Sequence, residues 1–137
     1  KKNRYVGAKI RTGSFTSTDI ELQSVEMDGS LTQTPEFPYN WMYDGSRPQM
    51  PGFEMEITCK SLFLIFKDSG EMDVGKADVF VNDVYCMTAD PHKNNWLHCN
   101  AVLLFWETES RSHKVRITVT EEDRNKKFTI LGFGYTI

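Results

Sequence analysis

Several of the features that assign a function at sight are missing from this 137-residue chain. No apolar run approaches the roughly 20 residues that a membrane-spanning helix needs, so no membrane partner is expected. Cysteine is scarce. Cys59, Cys86 and Cys99 form an odd set, which cannot pair completely within one chain. None stands in a C-x-x-C spacing, which excludes a zinc ribbon or a dithiol redox motif. Cys59 and Cys86 read as small buried apolar residues. A Cys86–Cys99 bridge is compatible with the sequence, but nothing in it shows one. Charge of one sign is also lacking: the formal net charge is -3 and no basic block occurs, which argues against a nucleic-acid footprint. No segment has a helical period, and no internal repeat is visible. The chain starts at Lys1 without Met or an apolar leader. We read it as one domain, residues 1–137, excised from a larger multi-modular protein whose targeting signal lies elsewhere.

What is present is a strand pattern. Hydrophobic residues make up 39% and aromatics 12% of the chain, enough for a core without disulfide staples. In the second half, Ala77, Val79 and Val81 alternate with Asp78, Phe80 and Asn82. The dipeptide Asn82-Asp83 then turns the chain into Val84-Tyr85-Cys86-Met87. An apolar run over 101–106 follows a polar loop. Val115, Ile117 and Val119 alternate with polar neighbours, and a last run covers 128–135. Upstream, Phe53, Met55, Ile57 and Cys59 alternate with Glu54, Glu56 and Thr58, and Lys60-Ser61 reads as a turn into the apolar run 62–66. Period-two alternation with turn residues between the runs predicts half-buried antiparallel strands, hence an all-β sandwich or barrel. Residues 4–10 and 20–25 read as further short strands.

Two connections are long. Residues 32–50 carry Pro35, Pro38 and Pro48 together with Tyr39, Trp41 and Tyr43, which predicts a structured loop with at most one short edge strand. Residues 88–100 carry Asp90, His92, Asn94, Asn95, Trp96 and His98. Trp41, Tyr43 and Trp96 are candidate platforms for stacking on the apolar C–H faces of sugar rings, because Trp and Tyr offer a large flat area at low entropic cost. Arg47 and Asn95 are the polar partners such platforms use. Trp106 continues an apolar strand and is read as core packing. Trp96, in a polar loop, is read as exposed. Trp41 and Tyr43 fit either role.

Constellations for catalysis are weak. Asp90, His92 and His98 could ligate a metal, but they match no recognised spacing. His113 opens an alternating run and is expected at the surface. Asp44-Gly45-Ser46 is not a nucleophile elbow. Glu54 and Glu56 share the outward face of a strand rather than flanking a cleft. No enzymatic activity is expected.

The arrangement Phe53-Glu54-Met55-Glu56-Ile57, the run 62–66, Ala77-Asp78-Val79-Phe80-Val81-Asn82-Asp83, His113-Lys114-Val115-Arg116-Ile117 and Phe128-Thr129-Ile130-Leu131-Gly132-Phe133 resembles the jelly-roll module attached to SGNH/GDSL-type esterases of gut and rumen bacteria. It is also similar to β-sandwich carbohydrate-binding modules of the same multi-modular enzymes. The resemblance implies a single antiparallel β-sandwich of jelly-roll type, an extracellular setting, a polysaccharide or oligosaccharide ligand and a linked catalytic domain. It implies no cofactor, although such modules often hold a structural calcium, for which no residues are assigned. The expected function is a non-catalytic carbohydrate-binding module for plant cell-wall polysaccharide of the β-glucan, xyloglucan or xylan class. Trp41, Tyr43, Trp96, Arg47 and Asn95 would form its site. The alternative is a structural jelly-roll domain that packs on an SGNH-type esterase catalytic domain without binding sugar.

Overall fold

The computed structural model describes residues 9–11, 40–43, 52–93 and 98–137. Within them the fold is all-β: β1 (Lys9–Arg11), β2 (Trp41–Tyr43), β3 (Phe53–Asp68), β4 (Ala77–Val81), β5 (Val84–Ala89), β6 (His98–Val119) and β7 (Phe128–Thr136), with a single 3-10 turn at Glu121–Asp123 before β7. All pair antiparallel in one sheet of order β1-β7-β3-β6-β4-β5, with β2 on β7. The expected strand at 20–25 lies outside the described residues. The edge strand allowed for in the Pro-rich loop is β2.

Two strands are longer than the sequence suggests. The expected turn at Lys60-Ser61 is instead an irregularity inside the 16-residue β3, and the runs 101–106 and 115–119 belong to the single 22-residue β6. Register passes from Cys59↔Arg111 to Ser61↔Trp106, so Lys60 stands opposite the excursion 107–110. Such a bulge bends a strand pair without ending it. The bend divides the sheet. Before it, β3 pairs with residues 111–117 of β6, and residues 115–119 of the same strand pair with β4. After it, β3 runs between residues 98–106 of β6 and β7.

The two halves close over a shared inner face. Phe53, before the bend, stacks on Phe133 of β7 with ring centroids 5.3 Å apart, although their strands do not pair at these residues. Trp41 tilts against both, at 5.4 and 6.1 Å. Met55, Ile57, Cys59, Val79, Val115 and Ile117 join the core in the expected alternation, and Leu62, Leu64 and Phe66 of the apolar run join it from one face of β3. Burying each apolar side chain of this size is worth about 1.5–3 kcal/mol. A cavity of about 20 Å³ remains where Trp41, Tyr43, Phe128 and Ile130 face Phe53, Ala77, Ile117 and Val119.

The β4–β5 hairpin turns on Asn82 and Asp83, both with left-handed φ (51° and 65°), as a two-residue hairpin loop requires. Asn82 also clips the hairpin to β6. Its N–H donates to the Lys114 carbonyl at 2.8 Å, and its Oδ1 accepts the Lys114 N–H at 2.9 Å. The amide is thereby oriented, and its Nδ2 donates to His113 Nδ1 at 2.9 Å. His113, expected at the surface, is buried against the Phe105 ring, 4.2 Å away. Its Nε2 lies 2.6 Å from Glu107 Oε1, off the line of a directed hydrogen bond. The excursion at 107–110 explains the inversion, because it folds Glu107 back over the imidazole. Glu107 also pairs with Arg111.

Candidate functional site

Two local irregularities set what the outer surface offers. In the β4–β5 ladder, Val79 pairs with Met87 but Phe80 pairs with Tyr85, so Cys86 is an extra residue. Cys86 and Met87 both pack toward the core. Tyr85 and Thr88, three residues apart, therefore share the outer face, where regular alternation would have put them on opposite sides. The Tyr85 OH and Thr88 Oγ1 are 2.8 Å apart. Thr88 donates its proton to Asp78 Oδ1 at 2.6 Å, so Tyr85 donates to Thr88. This chain fixes the phenol ring, which is 57% exposed.

The next row of the same face is Phe80, Arg116 and Glu54, neighbours by register. Phe80 meets Tyr85 edge-on at 6.1 Å, and the Arg116 guanidinium covers Phe80 with Cζ 4.2 Å from its centroid. Lys114 bonds Glu54 at 2.8 Å and stands 3.7 Å from Asp83. The hydrogen bond to Glu54, then the charges of Asp83 and Glu54, hold its ammonium above the usual lysine range. Beside Asp78 and Thr88 opens a groove of about 770 Å³, lined also by Lys76, Thr120, Glu121 and Glu122. One wall is tied to β4 by Asp123, whose Oδ2 accepts the Lys76 N–H at 2.9 Å. That bond, reinforced by Lys126, holds the Asp123 carboxyl below the usual carboxylate range despite partial burial. Gly75 permits the approach, since a Cβ there would come within 2.6 Å of the Asp123 Cβ. An immobilised aromatic face beside hydroxyls and carboxylates has the chemistry to stack on one side of a sugar ring and accept hydrogen bonds from its hydroxyls.

The second irregularity is in β6. Leu62 pairs with Phe105 and Phe63 with Leu103, which leaves Leu104 extra. Leu104 and Phe105 both turn toward the core. Leu103 and Trp106 consequently emerge together, 41% and 49% exposed. Trp106, expected in the core, is corrected to the surface by that one-residue shift.

Of the sequence-derived site residues, Trp41 and Tyr43 are among those described. Trp41, expected as a stacking group, is a core residue, 4% exposed, with its ring against Phe53 and Phe133. Its pairing with Ile130 on β7 directs it inward. Tyr43 is half-buried, and its OH donates to the Arg124 carbonyl at 3.2 Å. Arg47, Asn95 and Trp96 lie outside the described residues. Asp90 and His92 serve the local backbone: Asp90 Oδ1 accepts the His92 N–H, and His92 Nε2 donates to the Val74 carbonyl, both at 2.9 Å. The side chain of His98 is likewise outside the described residues. Among the described residues no group of three or more His, Cys, Asp or Glu is placed to hold a metal.

Cys59, His113 and Glu107 do come together beneath the bend. Burial, and secondarily the Glu107 charge, push the Cys59 thiol up to about 11. It stays protonated, the opposite of an activated nucleophile. All three cysteines are free thiols. Sequence pattern alone does not point to Tyr85, Phe80 and Arg116 as a group. One signal was available: Phe80 is an aromatic on the polar phase of an otherwise regular strand.

No family model matches the chain, and a search of curated proteins finds no match. Solved structures do match. They include a family two carbohydrate esterase from Cellvibrio japonicus, with TM-score 0.54 and 12% identity over 98% of this chain and 31% of that one. A two-domain esterase active on acetylated mannans, co-crystallised with mannopentaose, gives TM-score 0.60 and 15% identity over 81% and 32%. An acetyl xylan esterase from the rumen bacterium Butyrivibrio proteoclasticus gives 0.56 and 13% over 94% and 32%. These are likenesses of fold. The chain spans about a third of the length of each of these esterases. No helix among the described residues is long and apolar enough to cross a membrane.

Proposed function

We propose that this chain is a non-catalytic carbohydrate-binding module that holds a linked catalytic domain on plant cell-wall polysaccharide outside the cell. The observation that carries the reading is the Tyr85 ring, exposed on the sheet face and fixed by the Tyr85–Thr88–Asp78 hydrogen-bond chain. Preorganised aromatic area binds at a lower entropic cost than a mobile side chain. The fold likeness to about a third of several carbohydrate esterases supports an accessory role. Tethering to a polymer raises the effective concentration of a linked enzyme. Tyr43, Trp96, Arg47 and Asn95 are further candidates within this reading. The β-glucan, xyloglucan and xylan class suits a flat aromatic platform.

The test is affinity gel electrophoresis of the domain against xyloglucan, mixed-linkage β-glucan, xylan, glucomannan and pectin, with Tyr85→Ala alongside. Retardation by one polymer that disappears in the variant supports the reading. Free migration in every gel removes it. The outward Leu103 and Trp106 favour a second reading, in which the domain packs on an esterase catalytic domain and binds no sugar. Trp106→Glu would then disrupt the parent enzyme while leaving the isolated domain folded.

A further inference from the structure

The charges around the Tyr85 face carry the proposed function one step further and depend on it. Among the described residues lining the groove, Lys76 is the one cation against Asp78, Glu121 and Glu122, with Thr88 and Thr120 supplying hydroxyls. Of the neighbouring cations, Lys114 is held by Glu54, Lys126 stands 3.4 Å from Asp123 and Arg116 lies over Phe80, while Arg124 stands 4.0 Å from Glu121 and offsets part of its charge, so three carboxylates meet two cations at this groove. A sugar hydroxyl both donates and accepts, so it suits carboxylate-lined walls. A uronate is an acceptor with a negative charge and meets repulsion there.

We propose that this groove selects uncharged pyranose chains and rejects the same chains when they carry carboxylates. The selectivity comes from Asp78, Glu121 and Glu122, whereas Tyr85 supplies the stacking common to both ligands. Repulsion between exposed charges is screened by salt, so the discrimination weakens as ionic strength rises.

Isothermal titration calorimetry at low salt tests this with matched polymers: hydroxyethyl-cellulose against carboxymethyl-cellulose, and neutral arabinoxylan against glucuronoxylan. The neutral member is expected to bind ~10-fold more tightly, with the ratio falling toward about 2 in 0.5 M salt. Glu121→Gln/Glu122→Gln, on an exposed turn, is expected to lower the ratio at low salt chiefly by strengthening binding of the charged member. Equal binding of both members, or a ratio that the double variant leaves unchanged, overturns the inference while the binding reading stands. Binding of none of the four polymers overturns this inference, and free migration in every gel besides overturns both.

Discussion

The two outer faces of the sheet are built by the same device to different ends. On one face the extra residue Cys86 brings Tyr85 and Thr88 to the same side. On the other the extra residue Leu104 does so for Leu103 and Trp106. The two extra residues touch each other inside, where the Cys86 thiol donates to the Leu104 carbonyl at 3.5 Å. What differs is the company. Tyr85 stands among Asp78, Thr88, Arg116 and Glu54 with its hydroxyl bonded. Trp106 belongs to a face with Leu103, Ala101 and the half-buried Phe63 and Ile65. Exposed aromatic area alone therefore does not define a polar-ligand site. A ring whose polar edge is fixed by neighbours does so better, and a bulge is the means by which a strand re-aims such a ring.

Breaking the inner face that both halves share should have the largest effect. Phe133→Ala removes a fully buried ring that meets Phe53 and Trp41, and is expected to cost about 3–5 kcal/mol by urea unfolding. Binding would then weaken in step with the folded fraction rather than at one face. Asn82→Gly keeps the left-handed turn but removes the side-chain bonds to Lys114 and His113, with an expected loss of about 1–2 kcal/mol. A thermal melt of the variant reads this directly. The sharpest comparison is between the two aromatics. Tyr85→Ala should weaken polysaccharide binding about tenfold, equivalent to roughly 1.4 kcal/mol, while Trp106→Ala changes it less than about twofold. Equal losses in the two variants would erase the distinction between the faces.

The pH effects are smaller and have opposite signs. Asp123 titrates lower in the folded chain than in the unfolded one. Its contribution is present above about pH 4 and lost as pH falls through the folded value. Asp123→Asn should flatten that acid limb of a stability–pH curve. Cys59 is raised from 9.0 to about 11 in the folded state. Its contribution is present below the unfolded value and declines as pH rises through the folded one. At pH 8 iodoacetamide should label Cys59 only in the unfolded protein, as mass spectrometry of native and denatured samples would show.

The inward-facing pattern was legible in the sequence. Phe53, Met55, Ile57 and Cys59 are buried in the expected phase, Val79, Val115 and Ile117 likewise, and Asn82-Asp83 is the turn its chemistry announces. The bulges were not legible. Lys60-Ser61 has the polarity of a turn, and a bulge in a bent strand tolerates the same residues. The polar stretch 107–112 resembles a loop because, on an excursion and an outer edge, a strand can be polar on both sides. Phase is lost across each extra residue, so alternation counted through Cys86 or Leu104 assigns Tyr85 and Trp106 to the wrong faces. Trp41 presents the complementary case. A Trp in a Pro-rich loop reads as a platform, but its three-residue pairing with β7 commits it to the core.

Strands β3 and β6 each run the length of both halves, and their pairing continues through the bend. Neither half is a separable folding unit, since each borrows its central strands from the other. Native-state hydrogen exchange should therefore find the amides of residues 53–59 and 61–66 opening together, at the free energy of global unfolding, with no sub-global step between them. Wear at one outer face, whether from proteolysis at an edge or a destabilising substitution, would be felt at the other as a change in the lifetime of the whole sheet.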